Sequence, residues 1–428
     1  MSGQRALIGV VVPIYLARLG FSAVELGAMF SIVALASAVM GAGIGFAADR
    51  VGRRLFVVCV PLLSAAAAVT FALTDATLAL FLAAAVGSFG RGGGAGGGQI
   101  GPYQPAEQAL LAEKASTETL RNRLFGLIAS ASAAGGLLGS LLAVTPLSSQ
   151  TGRAVDAATY RPAFVTAALL AVLAAVCAVP VREERANRPP PDDVPRRRWR
   201  PRQRSAATTR RLSADSRRLI RRLWATNGVN GLAVGLFGPF ITYWLYRRYG
   251  AGPAAVGALY TVANLITIAT SQLAAPIAGR HGTVRTVVVV RASQALLLPV
   301  LALMPAFAAA GAVYTCRLVI QRIGMALRQA FVMGEAPPAE RARVAAYSQL
   351  PTQGISALSP TLSGLLFSEV SLAAPFALAG VLQLINALLF HYFFGEADRR
   401  PAAAPVPVTA EVAAPPASAR RQRPGPPS

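Results

Sequence analysis

The sequence predicts an all-α membrane protein of twelve transmembrane helices, arranged as two pseudo-symmetric six-helix bundles. Three observations predict this class: twelve long apolar runs, an arginine-rich segment that divides them into six and six, and a repeat between the halves. Of the 428 residues, 54% are hydrophobic and 14% are charged, whereas soluble domains carry about 25% charged residues. This composition, with a mean hydropathy of +0.50, argues against a water-soluble enzyme.

The twelve apolar runs follow from the length that a membrane requires, which is about 20 residues for about 30 Å of hydrocarbon. The first six runs lie at residues 6–20, 26–48, 55–74, 78–100, 124–145 and 162–180. The second six lie at 222–246, 253–278, 284–304, 307–331, 345–368 and 372–395. The first run is short, since its length corresponds to a rise of about 22 Å. A cleaved signal peptide is the alternative for that run, although no small-residue cleavage site precedes the second.

These runs divide the chain into four regions. Residues 1–180 form the predicted N-terminal bundle, and residues 222–395 form the predicted C-terminal bundle. Residues 181–221 form a basic cytoplasmic linker; from Val181 to Arg222 there are fifteen arginines against five acidic residues. Residues 396–428 form a Pro/Ala-rich cytoplasmic tail, which we expect to be disordered.

The charge pattern predicts the orientation, because cytoplasmic loops are enriched in Lys and Arg. The formal charge of +23 is concentrated in alternate loops and in the linker. With the N-terminus inside, the outer loops carry only Arg18, Arg153, Arg161, Arg247 and Arg248. We therefore expect a multi-pass protein of the inner (plasma) membrane with both termini in the cytoplasm. We expect the basic linker to bind anionic lipid headgroups rather than nucleic acid.

An internal repeat relates the two halves at an offset of 230 residues. The matched pairs are Gly20 and Gly250, Gly27 and Gly257, Ala28 and Ala258, Ala48 and Ala278, Arg50 and Arg280, and Gly52 and Gly282. They fall at corresponding loops and on the second helix of each half. Repeats with the same membrane orientation characterise one class of secondary transporter, in which the substrate site lies between the halves near the membrane midplane.

The loop after the second run has the sequence GFAADRVGRR, which combines an aspartate with several arginines in a turn. It resembles the signature G-x-x-x-D-R-x-G-R-R of the major facilitator superfamily, and with the other features the resemblance covers roughly residues 6–395. The fixed positions are Gly45, Asp49, Arg50, Gly52, Arg53 and Arg54. The resemblance implies that they form a latch, which holds the halves together on the cytoplasmic side in the outward-open state. The alternative is that these arginines only anchor the topology.

Other family patterns are less complete. Arg91, followed by a glycine-rich stretch, is similar to a membrane arginine in the fourth helix of many members. The fifth helix has Gly135, Gly136 and Gly139 but lacks the proline that is common in proton antiporters of the family. This absence argues against drug–proton exchange.

Polar residues inside the runs are the candidates for the solute site, because a charge at mid-bilayer costs about 2.5–3.5 kcal/mol on insertion scales. Arg317 and Gln321 share one face of the tenth helix. By resemblance, helices 1, 4, 7 and 10 surround the cavity, so we expect it to be lined by Arg91, Asn227, Asn230, Arg317 and Gln321. The alternative for the Asn and Gln side chains is that they only bond neighbouring helices. The alternative for the arginines is that they extend to the cytoplasmic surface or bond backbone carbonyls. This alternative is the expectation for Arg291 and Arg322.

Carboxylates are scarce in the apolar runs, and Glu25 and Glu107 are the candidate proton carriers. The sequence shows no catalytic group, no metal site and no cofactor motif, and we expect a monomer. The resemblance implies a secondary transporter that works by alternating access, with efflux of a drug or metabolite as the leading expectation. Uptake or facilitated diffusion of an anionic metabolite is the first alternative. A transporter-like membrane sensor or scaffold is the second.

Overall fold

A computed structural model describes residues 1–51, 53–89, 131–144, 157–180, 212–270, 282–335, 337 and 340–395. Within these ranges the chain contains twelve α-helices and one 3-10 turn, and it contains no β-strand. Each helix overlaps one of the twelve predicted runs, so the predicted helical class is confirmed.

The helices of the N-terminal half lie close to their predicted positions. They are α1 (Ser2–Arg18), α2 (Ala23–Val51), α3 (Arg53–Leu73), α4 (Thr77–Gly87), α5 (Ala131–Leu142) and α6 (Arg161–Ala178). The 3-10 turn Ala157–Tyr160 leads directly into α6. The second part of the predicted fourth run and the start of the fifth lie outside the described residues.

The helices of the C-terminal half begin with the longest apolar segment, α7 (Ala214–Tyr249), which consists of Ala214–Phe237 and Ile241–Tyr249. The others are α8 (Pro253–Thr270), α9 (Thr283–Leu303), α10 (Phe307–Glu335), α11 (Arg341–Glu369) and α12 (Ala374–Phe394). The start of α7 lies inside the predicted linker. The Ser213 side chain caps this end by accepting a hydrogen bond from the Ser216 N–H, and a capped helix can continue beyond the apolar residues.

Seven of the described helices are long and apolar enough to cross a membrane. They are α2, α3, α6, α7, α8, α9 and α12. Helix α1 has 17 residues and is largely buried by its neighbours, with Val10, Val11 and Val12 fully inaccessible. This short helix therefore lies inside the helical assembly and not on its outer surface.

The N-terminal core is dominated by aromatic contacts around Tyr15 of α1. Its ring lies 5.0 Å from that of Phe164 and 6.2 Å from that of Phe71. The Tyr15 hydroxyl donates a hydrogen bond of 2.7 Å to Asp75, at the turn between α3 and α4. Helices α1, α3 and α6 are thereby fixed to one another by apolar packing and one peripheral hydrogen bond.

The two halves contact each other at the end that the charge pattern predicts to be outer. Helices α2 and α11 cross so closely that a Cβ on Gly27 would lie 2.5 Å from the Pro360 carbonyl oxygen. One turn further along, the Ser31 hydroxyl contacts the Thr361 hydroxyl at 2.8 Å. Helices α5 and α8 also meet, since a Cβ on Gly257 would lie 2.8 Å from the Ser140 carbonyl oxygen. Small residues permit these backbone contacts.

Candidate functional site

Helix α7 is interrupted between its segments of 24 and 9 residues, at Gly238, Pro239 and Phe240. Pro239 has no N–H group, so it cannot donate to the carbonyl of Gly235, and the regular hydrogen-bond pattern stops there. The outer segment then resumes at Ile241. Interrupted helices near the midplane form the solute sites of many transporters. The sequence prediction missed this break, although a Gly-Pro pair is a recognised signal for one.

Helix α7 also bonds carbonyl groups that prolines leave free in two other helices. Pro13 cannot donate to the Gly9 carbonyl within α1, and the Thr242 hydroxyl of α7 donates to it instead at 3.1 Å. In α11, Pro351 similarly frees the Tyr347 carbonyl, which accepts a 2.8 Å hydrogen bond from the indole N–H of Trp224. These bonds satisfy groups that would be costly to leave unpaired inside a bilayer. They make α7 the connection between α1 and α11.

Arg317 of α10 lies beside the break in α7. Its side chain is 1% exposed, and its Cζ atom lies 4.1 Å from the centre of the Phe237 ring, the last residue before the break. Its Nε and Nη2 atoms have no hydrogen-bond acceptor within the described part of the chain. The position is about 15 Å along α10 from Phe307, which corresponds to mid-bilayer depth. The guanidinium group is therefore held against an aromatic face while its donors are free to bind another group.

Side chains of α7 and α8 connect to α10 through Tyr314, which lies one turn before Arg317. Tyr314, one turn before Arg317, is buried with its ring 5.9 Å from that of Tyr260. The Tyr260 hydroxyl contacts that of Thr242 at 2.8 Å. Gln321, one turn after Arg317, is half-buried and makes no hydrogen bond within the described residues. Arg317 and Gln321 therefore present unused polar groups on one helix face, as the spacing predicts.

Asn227 and Asn230 lie in a different environment, among α9, α10, α11 and α12. The Asn227 amide donates to the Ser348 carbonyl at 2.6 Å, and its oxygen accepts a hydrogen bond from Arg328. The Asn230 oxygen is the common acceptor for Arg291 at 3.2 Å, Gln383 at 3.3 Å and Asn386 at 3.4 Å.

The lining of one cavity by Arg91, Asn227, Asn230, Arg317 and Gln321 stays a prediction. Arg317 and Gln321 are together, whereas Asn230 is seven residues, or about 10 Å, from Phe237 along α7. Arg91 lies outside the described residues. Arg291 is 6% exposed, so the expectation that it extends to the cytoplasmic surface is wrong. Inside the protein it donates to the Asn230 oxygen and lies over the Phe390 ring, at 5.4 Å.

Gln383 and Asn386 were not among the predicted site residues. Their signal was present in the sequence, because they are three residues apart in an apolar helix and so share one face. Arg328 lies by helical spacing on the same polar stripe of the tenth helix as Arg317, Gln321 and Gly324, but it was not among the predicted cavity residues.

The latch residues are described only in part. Gly45, Asp49 and Arg50 belong to the last turns of α2, and Arg53 is the first residue of α3, but their side chains lie outside the described part. Gly52 also lies outside it. Arg54 is exposed and donates a 2.5 Å hydrogen bond to the Val179 carbonyl, at the end of α6. The described member of the motif therefore bonds within the N-terminal half.

Of the two candidate proton carriers, Glu25 lies in the part of the chain that the structure describes. Glu25 is exposed in the first turn of α2, and its carboxylate accepts hydrogen bonds from the Ser22 N–H at 2.8 Å and the Ser22 hydroxyl at 2.9 Å. The Glu25 N–H donates in return to the Ser22 hydroxyl at 3.2 Å. This reciprocal arrangement caps the helix start. Glu107 lies outside the described residues.

Comparison with models of protein families gives two matches, which follow the division of the chain into halves. Residues 1–226 and residues 223–424 each match the model described as Major Facilitator Superfamily. A search of curated protein sequences finds no significant match.

Solved structures with the same fold are numerous and distant in sequence. The nucleoside transporter NupG superposes with a TM-score of 0.66 at 14% identity, over 92% of this chain and 96% of that chain. A D-xylose–proton symporter gives 0.66 at 15%, over 91% and 94%. The human organic anion transporter MFSD10 gives 0.54 at 14%, over 91% and 97%. These similarities establish the architecture of two six-helix bundles.

Proposed function

Since the chain belongs to the Major Facilitator Superfamily and is a transporter of a small solute rather than an enzyme, we propose that its solute is a small organic anion. The observation that supports this proposal is Arg317, a fully buried guanidinium group at mid-bilayer depth. Its Nε and Nη2 donors lack acceptors in the described chain. A carboxylate or phosphate can occupy two donors of one guanidinium at once. The solute would supply the charge that this site lacks.

The electrostatics of the site support an anion over a cation. No carboxylate is buried among the described residues. A buried charge without a counter-ion is unfavourable by several kcal/mol, and an anion bound to Arg317 would offset that cost. A cationic solute would increase it. This observation favours the anionic alternative over a cationic drug.

We propose that the halves alternate about this site. The contacts between α2 and α11 and between α5 and α8 lie at the predicted outer end, which supports an inward-facing state. The motif residues Gly45, Asp49, Arg50, Gly52, Arg53 and Arg54 would close the cytoplasmic side in the opposite state. That role, and the assignment of Glu25 and Glu107 as proton carriers, comes from the sequence.

Several finer assignments are also proposals. Export is proposed as the direction by family resemblance, with uptake as its alternative in the same assay. Location in the inner membrane, cytoplasmic termini, a monomeric state and binding of anionic lipid headgroups by the linker are proposed from the charge pattern and composition.

The test is transport in proteoliposomes that contain the purified protein. Radiolabelled monocarboxylates, dicarboxylates and sugar phosphates are compared with organic cations, in both gradient directions. We expect saturable transport of an anion. Loss of charge-assisted hydrogen bonds in Arg317→Gln should weaken its affinity about 10- to 150-fold, with a smaller loss in Arg317→Lys.

The matched control is Arg247→Gln, which removes an exposed arginine from the outer end of α7. It should leave anion affinity unchanged. Transport of cations alone, or equal anion affinity in Arg317→Gln and the unmodified protein, would overturn the proposed substrate class.

A further inference from the structure

We propose that the C-terminal half contains a second anion site, for a small inorganic anion such as chloride, formed by Arg291, Asn230, Gln383 and Asn386. These residues come from α7, α9 and α12. The site is separate from the proposed solute site at Arg317 and does not depend on the identity of the organic solute.

The first observation is an excess of hydrogen-bond donors. The single oxygen of Asn230 is approached by Arg291, Gln383 and Asn386 at 3.2–3.4 Å. An amide oxygen has two lone pairs, so three donors compete for two positions on Asn230, although the Asn386 N–H₂ also reaches the Gln383 oxygen at 3.5 Å. The Nε atom of Arg291 has no acceptor at all among the described residues. The cluster therefore has donors available for a ligand that only accepts hydrogen bonds.

The second observation is uncompensated positive charge. Arg291 is 6% exposed, and the charge of Arg328, which bonds Asn227, acts on it repulsively. The partners of both arginines are neutral amides, and no described carboxylate is buried in the protein. Neutral amides accept hydrogen bonds from the arginines but do not neutralise their charge, and a buried charge is costly unless it is paired. An anion would remove both the charge imbalance and the donor excess.

The third observation limits the size of the ligand. Gln383 is 1% exposed, Asn386 is fully buried, and the Phe390 ring covers one face of the Arg291 guanidinium at 5.4 Å. Gln294, one turn from Arg291 on the same helix, is buried and makes no hydrogen bond within the described part. A site enclosed by these side chains fits a monatomic anion better than an organic carboxylate.

The orientation of one amide bears on the same site. The Asn386 oxygen has no hydrogen-bond donor in the described chain. Its N–H₂ donates to the Asn230 oxygen at 3.4 Å and to the Gln383 oxygen at 3.5 Å. Rotating the amide would turn its oxygen towards both acceptors, so the hydrogen bonds fix the orientation. A bound water is the competing occupant, and it would leave the charge uncompensated.

The test measures thermal unfolding of the purified protein in detergent, as sodium chloride replaces sodium gluconate at constant ionic strength. Constant ionic strength removes general screening as a cause. Binding to the folded state should raise the Tm saturably, by roughly 2–5 °C. Arg291→Gln should abolish this rise, whereas the matched control Arg247→Gln, which removes an exposed arginine, should retain it. A Tm that does not respond to chloride, or an equal response in Arg291→Gln, would overturn the proposal.

A second variant keeps the test decisive if Arg291→Gln fails to fold. Asn386→Asp adds a carboxylate to the same cluster, where it can compensate the charge of Arg291 in place of the anion, with almost no change in volume. It should raise the Tm in gluconate and make the Tm independent of chloride. A persistent chloride response in Asn386→Asp would count against the site, and water as the occupant would give no chloride response in any variant.

Discussion

In the described N-terminal half the buried polar side chains are Gln4 and serines, whereas the C-terminal half buries Arg291 and Arg317 together with asparagine and glutamine side chains. The centres of the two halves differ accordingly. Tyr15 of α1 lies among aromatic rings, while Asn230 of α7, in the other half, gathers an arginine and two amides. Two halves of one fold therefore bury different chemistry.

This difference suggests a division of roles in the described part of the molecule. An apolar core holds its shape by packing and offers little to a charged solute. A polar core is stabilised by directed hydrogen bonds and can bind ions wherever its donors exceed its acceptors. We infer that the N-terminal half acts mainly as a rigid partner, against which the C-terminal half presents its binding groups.

The largest expected effect concerns the contact between the halves. Gly27→Ala would place a methyl group 2.5 Å from the Pro360 carbonyl oxygen and 3.2 Å from Thr361 Cα, and these backbone atoms cannot move independently. Overpacking costs about 1–3 kcal/mol, so the state with a closed outer end should lose about 5- to 150-fold in population. The initial transport rate in proteoliposomes should fall accordingly.

Gly43→Ala, on the same helix, is the matched control, because a Cβ there has no atom within 4 Å. It should transport at the normal rate. Equal rates in the two variants would show that the close crossing of α2 and α11 does not limit the transport cycle.

The next effect, on the stability of the folded protein rather than on the transport rate, should distinguish the polar core from the apolar one. Asn230→Leu removes the acceptor shared by Arg291, Gln383 and Asn386, and buried donors left unsatisfied cost about 1–3 kcal/mol each. We expect a loss of about 2–4 kcal/mol in unfolding free energy, measured with denaturant.

The N-terminal counterpart is Ser64→Ala, which removes one buried hydrogen bond of 2.9 Å to the Gly87 carbonyl. It should cost about 1 kcal/mol. If both substitutions cost the same, the network around Asn230 would be no more important to stability than a single serine bond, and the contrast between the halves would fail.

The smallest expected effect concerns the ring beneath Arg317. Phe237→Leu keeps an apolar contact but removes the cation–π interaction at 4.1 Å, which is worth roughly 2 kcal/mol at a desolvated site. Because the interaction is present with and without a bound anion, only about 0.5–1 kcal/mol of it should affect anion affinity. Anion affinity should therefore weaken about 2- to 5-fold in the proteoliposome assay. Phe164→Leu, in the N-terminal aromatic core, should lower stability and leave that affinity unchanged. If Phe164→Leu weakened anion affinity and Phe237→Leu did not, the aromatic residue that supports anion binding would lie in the N-terminal half, against this prediction.

Much of the fold could be predicted from the sequence, because each membrane span is visible as a run of apolar residues along the chain. The apolar runs located the helices that the structure describes, to within a few residues at most ends. The predicted start of α7, at residue 222, lies after the observed start at Ala214. The prediction used apolarity as its criterion, whereas the helix begins at a capping serine among arginines. The break at Pro239 was missed because a run of apolar residues conceals a local loss of hydrogen bonding.

The candidate site could be predicted only in part. Helical spacing predicts that Arg317 and Gln321 share one face, because that relation lies within a single helix. It did not separate them from Asn227 and Asn230, and it did not bring Gln383 and Asn386 to Asn230. Those relations depend on how α7 is rotated against α9, α11 and α12.

The sequence by itself determined the helices, their division into two halves, and the family, since apolar length and motif spacing are properties of the chain. The tertiary structure decided which polar groups meet. Pro13 and Pro351 mark carbonyls without helical partners, but only the packing shows that Thr242 and Trp224 of α7 bond them. Likewise Arg291 and Arg317 look alike in sequence, and their surroundings differ because hydrogen bonds and charge pairing form between helices that are distant along the chain.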